Sequence, residues 1–593
     1  MSLLRIELLE SCNPVSGKSY NALLNQDVFY DEHGLPYLPA WFIRTRLYDI
    51  AQKIFTPERV NAIFDSLMLD DALIADFTSL VNAIESSDKK FIRFPQNVLG
   101  KFTHIESKYI NGFEVGVRFL NRGLIFEQYF TLDDKYHNDF TECVKKFTRL
   151  DTSQHSRIES EINWHYDKPR INTKFIKWEE NRNYSRINYK LNILTKTCIT
   201  NQLDTNSTSM QYIPGYEILR AVKKIFSGSN IKCSCAYPEV DNKRAFPVPA
   251  SFSCLKADKS QIRDKISLGQ REGDNEKTKG LANLWIDDIN NSEIKAVSIE
   301  LERGIISQDG ENFPDYQAIS SGQIFRGFIE SDSETLRKIY NYFIHDGYIS
   351  VGSFNNIGFG RAYLSIDSLE ESQQESQNVK EFTLEIMSPL VIKNFEGVYY
   401  ESKDSLINEL EKKLNLPGQL EIIRNNKSSV QVVRFCEDWD EFSPVEYAMS
   451  AGSIFRIKRR DNQEINIAPL RNIFIGEYNE SGFGEVFAAP SRDIYYRTMT
   501  RNKAKKENLF IESDSKAGKY LVRSLNDDYI KMISEYFGRL DAEEFYKKFF
   551  DENALNMISE LAGSHFDKAE ILERYLYGLS EACKNLLKFL ERR

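Results

Sequence analysis

No stretch of about 18 consecutive apolar residues occurs in this 593-residue chain, which excludes an ordinary membrane-spanning helix. The opening residues, Met1-Ser2-Leu3-Leu4-Arg5-Ile6-Glu7, lack the long apolar region of a secretory signal. They read as the start of a strand, and a cytoplasmic protein is expected. Positive charge is not in excess: 77 Lys and Arg stand against 87 Asp and Glu, a formal net charge of −10. That disfavours a protein that holds naked nucleic acid by bulk charge alone. Local basic stretches do occur, at Arg456-Ile457-Lys458-Arg459-Arg460 and from Arg497 to Lys506. The eight cysteines are scattered, and the closest three, Cys233, Cys235 and Cys254, fit no standard zinc spacing and have no neighbouring histidine. They read as reduced core residues, and no metal site is assigned. The histidines His33, His155 and His165 are isolated. No His-Asp pair suggests a nuclease domain, and no nucleotide cyclase or polymerase signature is visible.

What is present is length and apolar content. At about 100–200 residues per domain the chain holds roughly three to five domains. Hydrophobic residues at 41% and aromatics at 12% are enough for real cores. A glycine-rich turn, Gly352-Ser353-Phe354-Asn355-Asn356-Ile357-Gly358-Phe359-Gly360-Arg361, is followed by the alternating segment Ala362–Ile366. Glycine permits positive φ and close approach of another backbone, so a ligand with its own backbone, such as RNA, would suit the surface. A dinucleotide fingerprint is excluded by context, because it must follow a strand and open a helix. Here helix-like residues precede and a strand follows.

The pattern recurs at Gly476-Glu477-Tyr478-Asn479-Glu480-Ser481-Gly482-Phe483-Gly484. Gly452-Ser453-Ile454-Phe455-Arg456 likewise repeats Gly322-Gln323-Ile324-Phe325-Arg326. Around these marks one unit recurs about three times: strand, loop, helix, strand pair, helix, turn, strand. That β–α–β–β–α–β order is ferredoxin-like and shared with RNA-recognition domains. The expected class is α+β, with tandem ferredoxin-like domains and a C-terminal all-α helical segment. The expected domains are 1–180, 181–366 and 381–500, with a Glu/Ser/Gln-rich linker at 367–380 and a helical domain at 520–593. Residues 57–90 read as helices, and the polar stretch 236–290 reads as loops or an insertion.

These marks resemble the RAMP superfamily of CRISPR-associated proteins. Its signatures are Ile-Pro-Gly-Ser opening a helix with a basic residue, and a glycine loop ending Gly-x-Gly-Arg. Ile213-Pro214-Gly215 with Arg220 matches the first, with Tyr216 in place of serine; Gly352 to Arg361 matches the second. Leu38-Pro39-Ala40 with Arg44 and Arg46 is a looser copy. In the later turn Glu485 stands where arginine is usual, and the loop Asp151–Arg157 has no glycine. The resemblance covers about residues 1–500. It implies a type III (III-D-like) effector subunit: a backbone-type RAMP domain, a RAMP pair capping the guide RNA 5′ handle, and a small helical subunit. Implied partners are guide RNA, target RNA, backbone RAMP proteins and the large signalling subunit, with no membrane.

Phosphate contacts and aromatic stacking hold RNA on such folds. The candidate contacts are Arg44, Arg46, Arg220, Phe325, Arg326, Gly352, Gly358, Gly360, Arg361, Gly452, Arg456, Gly482 and Gly484, with Phe359 and Phe483 as further stacking candidates. The resemblance also implies a loop aspartate that cleaves target RNA with Mg2+ or another divalent cation. The matching loop is Ala22–Glu32: Asn25 falls near the usual position, Asp27 is the nearest acidic replacement, and Asp31 suits a structural position. Two other readings stay open, a processing endoribonuclease using His33 as an acid–base group and a nonspecific single-stranded RNA binder.

Overall fold

The computed structural model describes residues 2–14, 24–87, 94–110, 113–150, 156–166, 176–200, 209–226, 230–256, 258–268, 278–281, 284–287, 291–304, 307–308, 311–312, 316–371, 376–393, 403–433, 435–436, 441–442, 445–506 and 520–528. The chain forms two compact units, one of residues 1–171 with 510–593 and one of 172–509. Among the described residues no helix is long and apolar enough to cross a membrane.

In the first unit, β1 (Ser2–Leu8) buries Leu4, Ile6 and Leu8 and exposes Arg5, the two-residue period of a strand with one wet face. Helix α1 (Ala40–Ala51) starts after Pro39, whose fixed φ of −60° suits a helix entry. The Asp71 carboxylate accepts the Ala40 N–H at 2.8 Å, satisfying a donor that the helix itself cannot. Then follow α2 (Pro57–Ser66), β2 (Ala72–Ile74), β3 (Ile125–Thr131), α3 (His137–Lys146) and β4 (Ile158–Asn163). The order across the sheet is β2-β3-β1-β4, every neighbour antiparallel. This is the ferredoxin-like arrangement. The reading of 57–90 as helices is corrected: the short strands Met68–Leu69 and Ala72–Ile74 interrupt it before the helix Phe77–Glu85. Leu521 and Leu525 join this unit's core. The predicted helical segment beyond 528, and most of the loop 151–157, lie outside the described residues, as does the Asn25 side chain.

The second unit repeats the plan twice. β5 (Tyr184–Ile193), α4 (Gly215–Lys223) and β6 (Tyr237–Val240) lead into an inserted set of strands. These are β7 (Phe246–Pro247), β8 (Phe252–Leu255), β9 (Gln261–Asp264), β10 (Trp285–Ile286) and β11 (Glu293–Ser298). The domain resumes with β12 (Ile324–Glu330), α5 (Ser333–Phe343) and β13 (Arg361–Glu371). Its sheet runs β6-β12-β5-β13, again antiparallel and ferredoxin-like. The third copy comprises β14 (Glu381–Ile386), α6 (Lys403–Leu414), β15 (Leu420–Asn426), β16 (Ile454–Arg459) and β17 (Glu485–Pro490). Its order is β15-β16-β14-β17, with the 3-10 turn Ala468–Leu470 where a second helix is usual.

Where the polar composition of 236–290 reads as loops or an insertion, the described residues form an insertion built of short strands rather than loops. β18 (Tyr496–Lys503) enters from far along the chain, parallel to β11 and antiparallel to β9. The resulting order is β7-β10-β11-β18-β9-β8, with Thr278–Gly280 at the edge. Phe252, Ile262, Ile286, Ile294, Ala296 and Met499 form its small core. This sheet covers one face of the third ferredoxin-like sheet. β14 alternates, with Phe382, Leu384 and Ile386 in the core with α6's Leu406 and Leu410, so Glu381, Thr383 and Glu385 face the other way. On that side Phe487 meets Phe246 at 5.1 Å, and Arg424 and Asn426 donate to the backbone carbonyls of Ser267 and Ala250 at 3.1 and 2.9 Å.

Candidate nucleic-acid interface

The two glycine turns have the same backbone. φ is +78°, +63°, +91° and +77° at Gly352, Phe354, Gly358 and Gly360, and +77°, +60°, +83° and +74° at Gly476, Tyr478, Gly482 and Gly484. Each turn closes by one bond: the Val351 N–H donates to the Gly360 carbonyl at 2.8 Å, the Ile475 N–H to the Gly484 carbonyl at 2.9 Å. Closure of this kind requires glycine. A Cβ on Gly360 would lie 2.0 Å from the Val351 oxygen, and on Gly484 1.9 Å from the Ile475 oxygen. The close approach that the glycines allow is therefore to the protein's own backbone.

Helix α4 touches both turns. At its start a Cβ on Gly215 would fall 2.3 Å from the Cys233 oxygen and 2.6 Å from the Gly482 Cα, so the helix and the second turn meet glycine to glycine. On the next positions, the Glu217 carboxylate accepts the Gly352 N–H at 2.8 Å and the Arg220 guanidinium at 2.6 Å. Arg220 also donates to the Gly352 carbonyl at 3.1 Å. Pro214-Gly215 and Glu217/Arg220 thus hold the second and first turns respectively.

The side chains on the two copies differ. On the first, Phe354 is 37% exposed although its backbone is left-handed, an unusual state for a bulky residue. It leans on the buried Phe359, ring centroids 5.9 Å apart. The Lys196 ammonium stands 4.9 Å from the Phe359 ring. The Arg361 N–H donates to Thr195 Oγ1 at 3.0 Å, and its side chain is half-buried. Lys196 thus stands over the ring that the exposed Phe354 leans on, Arg361 follows the turn directly, and Arg220 is held on the turn's backbone and on Glu217. On the second, the equivalent of Phe354 is Tyr478, whose hydroxyl donates to Glu446 at 3.0 Å. The equivalent of Arg361 is Glu485, fully buried and gripped by both guanidinium nitrogens of Arg244, one at 2.7 Å.

The other expected contacts are engaged with the protein itself: Phe325, Arg326 and Gly452 are buried, and Arg44, Arg46 and Arg456 are half-buried. Arg44 donates to the carbonyls of Leu67 and Phe64 at 2.8 and 2.6 Å, capping the end of α2. Burial pushes its guanidinium below the ordinary value. Arg46 lies on Phe42 and pairs with Asp49 at 3.6 Å. Phe325 is fully buried, which corrects its reading as a stacking platform. Arg326, also buried, pairs with Glu239 at 2.6 Å and with Asp367 at 2.5 Å. Arg456 pairs with Glu381 at 2.7 Å and donates to the Ser267 carbonyl at 2.5 Å, on the face that the inserted sheet covers. Gly452 sits at the same seam, its carbonyl accepting the Ala250 N–H at 2.7 Å.

Asp27 is fully buried. Burial pushes its carboxyl up, opposed by Arg118, 3.4 Å away, and by the Val28 N–H at 2.9 Å. A guanidinium as nearest charge is the wrong partner for a divalent cation, which needs several oxygen ligands. No cluster of three His, Cys, Asp or Glu suited to a metal occurs among the described residues. The described residues around Asp27 do not fit the expected cation. Asp31 accepts the His33 and Leu35 N–H groups at 2.9 and 2.8 Å, the structural role expected of it.

Sequence reading missed Phe354 and Lys196. The signal for Phe354 was its place inside the repeated turn, matched by Tyr478; Lys196 had no local signal, since the fold alone carries it to the turn.

No family model matches the sequence, and no curated protein matches it. Solved structures with partial similarity include a chain of a type III-B Cmr-beta complex bound to cognate target RNA and AMPPnP. It has 12% identity and TM-score 0.27, with 45% of this chain and 86% of that one covered. A Cas6-related protein from Pyrococcus furiosus has 14% identity and TM-score 0.25, covering 52% of this chain and 100% of that one. A CRISPR-associated Cas6 protein has 15% identity and TM-score 0.23, covering 51% and 99%.

Proposed function

We propose that the chain is an RNA-holding subunit of a type III-like CRISPR effector complex, and that its first glycine turn is the contact for the guide strand. The observation that carries this reading is the exposed Phe354 on a left-handed backbone, leaning on Phe359 with the Lys196 ammonium over that ring and Arg361 next along the chain. An aromatic tip beside cations suits single-stranded RNA, because a base stacks on the ring while phosphates meet the charges. The pairing of two ferredoxin-like domains with Pro-Gly helix and glycine turns in register adds to it. A net charge of −10 suits a subunit that shares a basic channel with neighbours rather than a free RNA binder.

The chain holds RNA and leaves cutting to others, since Asp27 is sealed from solvent against Arg118. The test is purification of the full chain from its own host with sequencing of any bound RNA. The expected result is one RNA population with a common 5′ end, together with other CRISPR proteins. RNA of random sequence would sink the handle-holding role. Specific cutting of repeat RNA by the isolated chain would replace it with a processing endoribonuclease.

A further inference from the structure

The second glycine turn borders a cleft of about 250 Å³ between α4 and the hairpin of Ser429–Val432 and Glu446–Met449. Its walls include Tyr212, Pro214, Tyr216, Val430, Val432 and Phe483, and among the described residues none of its lining side chains is charged. Phe483, Tyr216, Tyr478, Val430 and Val432 pack in one small cluster, so the walls are backed by protein.

The charge around it is opposite to that of the first turn. Glu446 lies directly across the hairpin from Val432 and accepts the Tyr478 hydroxyl. Glu477 and the exposed Glu480 sit on the turn itself. Among the described residues, Lys393 stands at this turn and is paired to Glu477 at 3.4 Å. Lys223 and Lys232 lie toward Cys233 and are not among the lining residues. A phosphate chain would meet carboxylates on arrival, while an uncharged pocket with an acidic rim suits an apolar side chain flanked by positive charge.

We propose that this cleft is a protein-docking site that takes an apolar side chain from a basic segment of a partner polypeptide. The duplicated turn thus has two uses: the copy with Phe354 and Arg361 faces RNA, and the copy with Tyr478 and Glu485 faces protein. The inference does not depend on the first turn's ligand.

The test places the photo-crosslinking residue p-benzoylphenylalanine at Val432 in the full chain, produced in its own host. The expected adduct resists ribonuclease. Its partner peptide, mapped by mass spectrometry, carries an apolar residue close to Lys or Arg. A synthetic copy of that peptide then binds the full chain, and Val432→Glu abolishes binding. The exposed reversal Glu480→Lys weakens it severalfold at low salt with unchanged thermal melting, which separates docking from folding. A ribonuclease-sensitive adduct overturns the proposal in favour of a base in the cleft. An adduct to this chain or to a second copy of it, no adduct at all, or a peptide indifferent to Glu480→Lys overturns it as well.

Discussion

Glu485 and Glu385 show how differently two buried carboxylates behave. Glu485 has both oxygens on the Arg244 fork, and that guanidinium also lies over the Tyr237 ring at 4.7 Å. Removing one partner of a buried pair leaves an uncompensated charge, so Arg244→Ala should lower stability by about 3–5 kcal/mol, measured by denaturant unfolding. Glu385 is fully buried with both carboxylate oxygens unpartnered. Burial pushes its carboxyl far up, reinforced by Asp264 and opposed by Arg497. The unfolded chain ionises this group near pH 4.3 while the folded one keeps its proton, so the unfolded state binds fewer protons above that pH. Glu385 therefore costs stability as pH rises from about 4.3 toward its folded value. Glu385→Gln should unfold at higher denaturant than the parent at pH 8, by about 1–3 kcal/mol, with the difference shrinking at pH 4. Equal differences at both pH values would remove the account. Asp27→Ala is expected to leave target cleavage by the assembled complex unchanged. Loss of cutting at any site would restore a catalytic role. The sequence showed that Glu485 departs from arginine; it could not show that Arg244, 241 positions away, is the reason.

At the scale of elements, the three-fold recurrence was legible because core periodicities and punctuation residues are local. Pro39 and Pro214 announce α1 and α4, and each helix starts at the next residue. The inserted sheet was not legible, because strands such as Phe246–Pro247 and Trp285–Ile286 are two residues long and show no alternation. Likewise β13 runs on to Glu371 through residues whose polar composition reads as linker, since β5 pairs with it on to that end. The turns invite two element-level tests. Phe354→Ala should cost about 1–3 kcal/mol in affinity for single-stranded RNA, and Arg361→Ala should lower the salt slope of binding by about one unit. The same changes at Tyr478 should leave RNA affinity unchanged. Gly215→Ala places a methyl 2.6 Å from the Gly482 Cα, an overpacking that should cost about 1–3 kcal/mol and is read as a lower melting temperature of the full chain.

The largest-scale feature of the second unit is that its chain closes on itself. β18, contributed by residues 496–503, is an interior strand of a sheet otherwise built from residues 246–298. It holds β11 over six registered pairs, Glu293–Thr498 to Ser298–Lys503, and β9 over three. Arg497 reaches from it to Asp264 at 2.9 Å and to the Asn291 carbonyl at 2.7 Å, both within the fold. Without β18 the inserted sheet splits between β11 and β9 and leaves two unpaired strand edges, each a template for aggregation. The sheet in turn covers the open face of the third ferredoxin-like domain, where Arg456 is held by Glu381 and the Ser267 carbonyl. Two consequences can be measured on one preparation. A protease site inserted beside the exposed Arg492 and Asp493 should cut cleanly under native conditions while the two pieces elute together. They should separate only in denaturant, because interior strand pairing, together with Leu521 and Leu525 in the first unit's core, outlasts the peptide link. A chain stopped at Ser491 should instead lose the inserted sheet and form aggregates, with amide exchange rising in residues 252–264 and 293–298. If the cut pieces separate in native buffer, β18 is a decoration on the sheet rather than the strand that completes it.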